Sequence, residues 1–294
     1  MAHKAGFVNI IGNPNVGKST LMNAFVGERL SIITSKAQTT RHRILGIVNG
    51  EDFQVILSDT PGIIKPAYEL QESMMEFVKS AFDDADVLLY LVELGEKDLK
   101  DAVFLKKITG ASIPVLLLIN KIDKGNEEQL AEAMELWSEK VPNAEIFAIS
   151  ALENFGVEEV FKRIVDLLPE SPPFYPKDQL TDKPERFFVN EIIREKILLH
   201  YKKEIPYSVE IDTEEFVEDE DIIRIRSVIM VERETQKGII IGHKGSALKR
   251  VGVEARKDLE AFFGKQIHLE TYVKVNKNWR SSKSQLKRFG YDQK

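Results

Sequence analysis

Short, almost continuous apolar runs alternate with helix-length segments through the first 168 residues of the chain. Five of these runs are strand-like: FVNII, FQVILS, DVLLYLV, PVLLLI and EIFAIS. Such runs suit strands covered on both faces, and the alternation of strands with helices favours parallel pairing. The pattern predicts an α/β fold, a doubly wound and mostly parallel sheet, with helices over residues 18–27, 69–82, 98–109, 127–140 and 157–168.

One pair of predicted strands breaks this alternation. Asn49-Gly50 lies between two strand-like runs, ILGIV and FQVILS. Asn-Gly between apolar runs is a strong short-range signal of a hairpin, because both residues tolerate a positive φ. We therefore expect one antiparallel strand at an edge of the sheet.

The composition changes in residues 169–184, which hold five of the eleven prolines. Since proline lacks a backbone donor and resists regular structure, we interpret this stretch as a linker. Beyond it the order of helix and strand patterns is αββααβ, which indicates a smaller α+β domain. The predicted organisation is a first domain over residues 1–170, a Pro-rich linker over 171–185, a second domain over 186–276 and a basic tail over 277–294.

The length of 294 residues agrees with two domains. The chain has no cysteine, which excludes disulfides and thiolate chemistry and favours a reducing interior, hence a cytoplasmic location. Its first residues predict a strand rather than a signal peptide. Residues 237–294 carry 14 Lys and Arg against 5 Asp and Glu, whereas the whole chain has a net charge of −6. This basic end fits either an interaction surface or an ordinary solvated one.

The first chemical motif is the run GNPNVGKS, which fits G-x-x-x-x-G-K-[ST] between a predicted strand and a predicted helix. Its backbone N–H groups and the helix N-terminus suit phosphate, Lys18 can reach the β and γ phosphates, and the Ser19 hydroxyl can bind Mg²⁺. The candidate phosphate-binding residues are Gly12, Asn13, Pro14, Asn15, Val16, Gly17, Lys18, Ser19 and Thr20.

Two further motifs follow predicted strands, where ligands bind in such sheets. The first comprises Asp59, Thr60, Pro61 and Gly62, in which the aspartate can hold Mg²⁺ and the Gly62 N–H can meet the γ phosphate. The second is Asn-Lys-Ile-Asp, with Asn120, Lys121 and Asp123. The Asp123 carboxylate can accept two hydrogen bonds from guanine, and adenine has no such donor pair. Asp123 is therefore the main evidence in the sequence against an ATPase.

These motifs, in this order, resemble those of the Era family of GTPases. The resemblance implies GTP and GDP as ligands with Mg²⁺. It implies that Ser150, Ala151 and Leu152 contact the base, and that the run QTTR is a switch loop in which Thr40 binds Mg²⁺ together with Ser19 and Asp59.

Hydrolysis needs a group that orients water or supplies charge. Ile63 occupies the position where many GTPases have glutamine, and an aliphatic chain cannot orient water. Asn15 matches an asparagine with which related GTPases hold K⁺, so we hypothesise K⁺ assistance; the alternative is that Asn15 only stabilises the loop. The residues expected to act in catalysis are Asn15, Lys18, Thr40 and Gly62.

A second glycine loop, Gly-His-Lys-Gly, lies in the predicted αββααβ domain. This order resembles a type II KH domain, whose G-x-x-G loop clamps single-stranded nucleic acid; the alternative is a plain turn between helices. In the tail, basic residues interleave with Trp279, Phe289 and Tyr291, a composition that suits phosphate contact and base stacking. The expected RNA-binding residues are Ile239, Ile240, Gly242, His243, Lys244, Gly245, Ser246, Lys249, Lys274, Lys277 and Arg280.

The resemblance implies the single-stranded 3′ end of small-subunit (16S) ribosomal RNA and the small ribosomal subunit as partners, a role in subunit maturation, and a monomer. Two positions depart from the family. Asn13 replaces a common arginine at a variable position, where we expect little effect. His243 replaces a frequent lysine, which should make RNA affinity depend on pH. Two alternatives remain: an RNA-binding assembly scaffold with only a regulatory nucleotide site, and a GTPase peripheral on the inner face of the cell membrane.

Overall fold

The computed structural model describes residues 2–99 and 101–291, so the end of the predicted tail, residues 292–294, lies outside the described residues. The chain divides into two compact units. The first contains most of the residues up to Asp182, and the second contains most of those from Lys183 onward. The boundary between the two units lies near the end of the predicted linker, residues 171–185.

Within its described residues, the first unit contains a six-stranded sheet flanked by five helices. Its strands run in the spatial order β2-β3-β1-β4-β5-β6, and every pairing is parallel except the antiparallel β2–β3 pair at the edge. The strands are β1 Lys4–Ile11, β2 Ile44–Asn49, β3 Phe53–Asp59, β4 Val87–Glu93, β5 Val115–Asn120 and β6 Ala144–Ala148. The helices are α1 Lys18–Val26, α2 Glu69–Asp83, α3 Ala102–Thr109, α4 Glu127–Lys140 and α5 Val157–Leu167. The predicted α/β class and the antiparallel edge strand are confirmed.

The apolar runs of this unit are continuous because their strands are covered on both faces. All residues of β4 from Val87 to Val92 have no exposed surface, and all of β5 is buried. The carboxyl ends of β1, β3, β4 and β5 therefore meet at one edge of a rigid sheet, as parallel pairing requires. That edge carries the motifs.

The second unit has the αββααβ order that the sequence predicts. Its elements are α6 Glu185–His200, β7 Glu210–Glu218, β8 Ile222–Val231, α7 Glu234–Ile241, α8 Ser246–Phe263, β9 Gln266–Val275 and a short α9 Lys283–Arg288. The central strand β8 pairs antiparallel with β7 and parallel with β9. Isoleucines and valines from α6, α8 and the sheet form the core of this unit.

Most of the predicted linker is packed against the first unit. The Gln54 side chain accepts hydrogen bonds from the backbone N–H groups of Phe174 (2.7 Å) and Tyr175 (3.0 Å), and the Ile47 N–H donates to the Leu180 carbonyl at 2.8 Å. The Phe174 ring lies 5.3 Å from the Phe7 ring. Prolines do prevent a helix or strand here, but the aromatic side chains and free carbonyls of the segment still find partners on the sheet edge.

The predicted basic tail is also folded, which corrects the assignment of its aromatic side chains to base stacking. Trp279 has no exposed surface, and its indole nitrogen donates to the Ser208 carbonyl at 3.2 Å. Tyr291 is buried, and its hydroxyl donates to the Glu210 carboxylate at 2.8 Å. The Phe289 ring packs edge-on against Trp279, with centroids 5.9 Å apart. Trp279 and Tyr291 are therefore core residues of the second unit, whereas Phe289 is half-buried.

Within the described residues, we find no helix with the length and apolarity that crossing a membrane requires.

Candidate nucleotide site and nucleic-acid interface

The phosphate loop follows β1 and leads directly into α1. Gly17 has a φ of 103°, and a β-carbon there would lie 2.2 Å from the Asn120 amide nitrogen, so a side chain is excluded. The same amide nitrogen donates to the Val16 carbonyl at 2.7 Å. A β-carbon on Gly12 would likewise lie 2.2 Å from the Leu91 carbonyl oxygen. The loop is thus held against β4 and β5, with its amides at the start of α1.

The Lys18 ammonium lies inside this loop. It donates to the carbonyls of Asn13 at 2.8 Å and Gly12 at 3.2 Å. Burial lowers the pKa of Lys18 to about 8, although the nearby carboxylates of Asp59 and Glu96 act in the opposite direction. A phosphate group in the loop would favour the charged form in the same way as those carboxylates.

The three residues predicted to hold Mg²⁺ come together. The Ser19 hydroxyl donates to Asp59 Oδ2 at 2.7 Å and lies 2.9 Å from the Thr40 hydroxyl, which donates to the same carboxylate oxygen at 3.2 Å. Burial raises the pKa of Asp59. Its second oxygen, Oδ1, is buried without a hydrogen-bond partner among the described residues. Hydroxyl and carboxylate oxygens with an unpartnered acceptor fit a hard divalent cation.

The second phosphate motif lies directly against the phosphate loop. A β-carbon on Gly62 would lie 2.6 Å from the Pro14 α-carbon, so only glycine allows this approach. The Ile63 N–H donates to the Gly12 carbonyl at 3.0 Å, and the Thr60 hydroxyl donates to the Ile10 carbonyl at 2.7 Å. The Ile63 side chain has no exposed surface, so its role is packing and it offers nothing to a water molecule.

The Asn-Lys-x-Asp motif and the Ser-Ala-Leu motif meet at the ends of β5 and β6. The Ala151 N–H donates to Asn120 Oδ1 at 2.9 Å, and the Ser150 hydroxyl donates to the Asp123 carboxylate at 2.6 Å. The Lys121 ammonium reaches back to the Asn15 carbonyl at 2.7 Å. These contacts connect the base-recognition residues with the phosphate loop.

A cavity of about 530 Å³ lies among these motifs, a volume within the range for small-molecule sites. Of the predicted residues, it is lined by Pro14, Asn15, Gly17, Lys18, Ser19, Thr20, Thr40, Thr60, Gly62, Asn120, Lys121, Asp123, Ala151 and Leu152. Gly12, Asn13, Val16, Asp59, Pro61 and Ser150 are outside this lining. Of these, all but Pro61 hold lining residues through the hydrogen bonds described above.

Asn13 has more contacts than its variable loop position suggests. It is buried, and its amide nitrogen donates to the Glu96 carboxylate and to the Asp98 carbonyl, the latter at 3.1 Å. The sequence pattern predicts little effect at this position because it cannot reveal a partner 83 residues away.

Sequence reasoning also missed several residues at the site. The cavity wall also includes Ile32, Ile33, Thr34, Ser35 and Lys124, which no motif marks, and Gln38 and Thr39 of the QTTR switch run, to which no separate role is assigned. The signal in the sequence that could have identified them is their closeness to the QTTR run and to the Asn-Lys-Ile-Asp motif.

The Gly-His-Lys-Gly loop of the second unit has the backbone that its glycines predict. Gly242 and Gly245 have φ values of 71° and 78°, and a β-carbon on Gly242 would lie 2.6 Å from the Ala247 β-carbon. Lys244 is also left-handed, with a φ of 48°. The side chains of His243 and Lys244 are exposed, so both are accessible to the anionic backbone of a nucleic acid.

The other predicted RNA-binding residues divide into two groups. One group is exposed on the same unit: Ile239, Ser246, Lys249, Lys274 and Lys277. In the other group, Ile240 has no exposed surface and belongs to the core, because the apolar face of α7 is turned toward the sheet. Arg280 is half-buried, and its Nε donates to the Glu232 carboxylate at 2.9 Å, so its charge is already paired. The assignment of Ile240 to an RNA-facing floor is therefore wrong.

Comparison with known proteins matches two families and includes solved structures that are similar along the whole chain. Residues 7–121 match the 50S ribosome-binding GTPase family, and residues 204–280 match the KH domain family. One crystal structure is of Era in complex with MgGDPNP and nucleotides 1506–1542 of 16S ribosomal RNA; it is 38% identical, with a TM-score of 0.94 over 99% of this chain and 100% of that chain. Another is of an Aquifex aeolicus Era variant bound to GDP·AlF₄⁻, which is 39% identical, with the same TM-score and coverage.

Proposed function

Because the chain belongs to the Era family of GTPases, we propose that it is a GTP-hydrolysing switch that binds the 3′ end of 16S ribosomal RNA and assists assembly of the small ribosomal subunit. The observation that carries the proposal is the meeting of Ser19, Thr40 and Asp59 beside the buried Lys18 ammonium, at a cavity that also reaches Asp123. Phosphate, divalent cation and guanine each have donors or acceptors of the right chemistry in one place.

The residues of this chain would divide the work as follows. The loop amides and Lys18 bind and orient the phosphates, and Gly62 allows a backbone N–H to approach them closely. Ser19, Thr40 and Asp59 would hold Mg²⁺, which supplies positive charge against the phosphate oxygens. Asp123, oriented by Ser150, selects guanine. Ile63 is buried, so water must be oriented by other groups, and slow intrinsic turnover is expected.

Turnover and base selection test this assignment together. Lys18→Ala should reduce multiple-turnover GTP hydrolysis by more than about 100-fold, since it removes the charge that meets the β and γ phosphates. Asp123→Asn should shift preference from guanine to xanthine nucleotides, because the exchanged acceptor and donor now match the xanthine edge. Lys162→Ala, an exposed lysine of α5 paired with Glu158, is the control. Native turnover in Lys18→Ala would contradict the enzymatic role and favour a scaffold with a regulatory nucleotide.

The RNA-binding part of the proposal is supported by the exposed His243 and Lys244 on a glycine-framed loop and by the exposed lysines on the same unit. The 16S RNA that accompanies the related Era structure suggests the ligand. Crosslinking in cells followed by RNA sequencing tests the target. Enrichment of the 3′ end of small-subunit RNA is expected, and an even distribution over cellular RNA would contradict it.

We include in this proposal a cytoplasmic location, because a chain without cysteine suits a reducing compartment. The expectation of a monomer is a separate part of the proposal. The basic residues that would contact RNA could also attract anionic lipid. Co-sedimentation with vesicles of anionic lipid, in competition with a single-stranded RNA of the 16S 3′ end, distinguishes RNA binding from lipid binding. Preference for the vesicles would favour peripheral membrane association.

A further inference from the structure

Two carboxylates of one short turn hold two of the nucleotide motifs. The turn spans Glu93, Leu94, Gly95 and Glu96 at the end of β4, and we call it the bracket turn. The Glu96 N–H donates to the Glu93 carbonyl at 2.9 Å, and Gly95 has a φ of 87°, which favours glycine. In return the Glu93 N–H donates to Glu96 Oε2 at 3.1 Å. The Glu96 side chain is therefore held against the backbone of Glu93.

Glu93 holds the lysine of the guanine motif. Its Oε2 accepts a hydrogen bond from the Lys121 ammonium at 2.7 Å, and the same ammonium donates to the Asn15 carbonyl at 2.7 Å. The Lys121 side chain is only 21% exposed, and its backbone is left-handed with a φ of 65°. One carboxylate and one phosphate-loop carbonyl together determine where this ammonium lies.

Glu96 holds the phosphate loop through the side chain of Asn13. Its Oε1 accepts from the Asn13 amide nitrogen, and Asn13 is 5% exposed. The carbonyl of Asn13 in turn accepts from the Lys18 ammonium at 2.8 Å. A continuous chain of hydrogen bonds thus runs from Lys18 through Asn13 and the bracket turn to Lys121.

We propose that the bracket turn is a positioning element that sets how long a guanine nucleotide stays bound. Glu93 and Glu96 are positioning residues that act through Lys121 and Asn13. For a nucleotide to leave, the phosphate loop and the guanine motif must loosen, and the bracket turn ties both to the rigid end of β4. The proposal deepens the guanine-nucleotide site proposed above and rests on it.

Release of a fluorescent GDP analogue, followed by stopped flow, tests the proposal on the full-length protein. Glu93→Gln keeps the shape of the side chain but removes the charge that Lys121 meets. GDP release should be about tenfold faster, since a hydrogen bond to a charged group contributes on the scale of a tenfold change or more. Glu96→Gln should also accelerate release, because it replaces one carboxylate oxygen with an NH₂ group, so either the Asn13 amide or the Glu93 N–H then faces a donor instead of an acceptor.

The matched control is Glu132→Gln. Glu132 is an exposed carboxylate that lines the same 220 Å³ cavity as Glu93 and Glu96, and it is not a partner of Lys121 or Asn13 among the described residues. Its release rate should match that of the native protein. Glu93→Asp, which retains the charge, should recover part of the lost residence time.

A double variant distinguishes positioning from a general effect on structure. If Glu93 acts through Lys121, then Glu93→Gln with Lys121→Gln releases GDP no faster than Lys121→Gln alone. Additive effects, or a native release rate in Glu93→Gln, would overturn the proposal while guanine binding and the xanthine shift of Asp123→Asn stand. A native protein that binds no GDP would overturn the proposed nucleotide site and this inference together.

Discussion

Asn15 lies in the phosphate loop with a left-handed backbone, φ 67°, and its amide nitrogen donates to the Ser35 carbonyl at 2.9 Å. The motif predicted the residue, but the partner comes from the segment before the switch threonine. Ile240 shows the reverse: an apolar side chain beside a glycine loop is placed in the core by the packing of its helix. At the scale of single residues, residue type and spacing in the sequence identify the candidate site residues. The groups packed around each candidate determine what its side chain does.

Potassium dependence belongs to this scale and follows from Asn15 and Ile63. The bond to Ser35 orients the Asn15 amide, and the buried Ile63 contributes no polar group to hydrolysis. We expect GTP turnover to be at least about tenfold faster in KCl than in NaCl, because a monovalent cation would supply charge to the transition state. Asn15→Ala should remove the difference while retaining GDP binding. If the rates are equal in both salts and Asn15→Ala matches the native protein, the K⁺ hypothesis is wrong and Asn15 only stabilises the loop.

At the scale of elements, the strand–loop–helix order of the first unit was predictable because each motif is local in sequence. The bounds of α1 agree closely with the predicted helix, and those of β3 and β5 with the apolar runs. The end of the chain was predicted as a basic tail, and it instead forms a helical turn and α9 on the second unit. Basic residues dominate its composition, but the residues that fix its position are Trp279, Leu286 and Tyr291, all of which are buried.

A matched pair of tyrosine variants tests whether this end is part of the folded unit. Tyr291→Phe removes a donor from the buried Glu210 carboxylate and should lower the free energy of unfolding of the second unit by about 1–3 kcal/mol. Tyr272→Phe, at an exposed tyrosine whose hydroxyl contacts Glu214, should change it by less than about 0.5 kcal/mol.

Urea unfolding followed by the fluorescence of Trp279 measures both variants. A Trp137→Phe background removes the other of the two tryptophans, which lies in the first unit. Both tyrosine variants are compared in this same background, so the stability that Trp137→Phe removes from the first unit does not enter the difference between them. Equal stability of the two tyrosine variants would mean that the chain end contributes nothing to the fold of the second unit.

At the scale of the whole molecule, charge is distributed unevenly along an acidic chain. Residues 237–294 carry 14 Lys and Arg against 5 Asp and Glu, although the net charge is −6. Several of these charges are paired within the second unit, including Arg280 with Glu232 and Lys265 with Glu218. The free charge available to RNA is therefore smaller than the count suggests, and lies on residues such as Lys244, Lys249, Lys274 and Lys277, which are exposed.

The salt dependence of RNA affinity measures that charge. Each lysine that neutralises a phosphate of a single strand contributes about −0.7 to the slope of log affinity against log salt. Lys274→Ala should therefore reduce the magnitude of the slope by about 0.7, whereas Lys265→Ala, whose lysine is paired with Glu218, should leave it unchanged. Fluorescence anisotropy with a labelled 16S 3′-end oligonucleotide over a KCl series gives both slopes. A slope unaltered by Lys274→Ala would remove β9 from the RNA interface.

The class of the sheet, the order of the nucleotide motifs and the glycine positions in both loops could be predicted from the sequence. Each of these depends on contacts between residues close in the chain, or on the lack of a side chain, and a linear pattern records both. The folded structure was needed to show that Trp279 and Ile240 are core residues, that residues 174–180 pack on the sheet, and that Glu93 and Glu96 hold Lys121 and Asn13. Burial and pairing of this kind depend on surfaces brought together from distant parts of the chain, which periodicity and composition do not record.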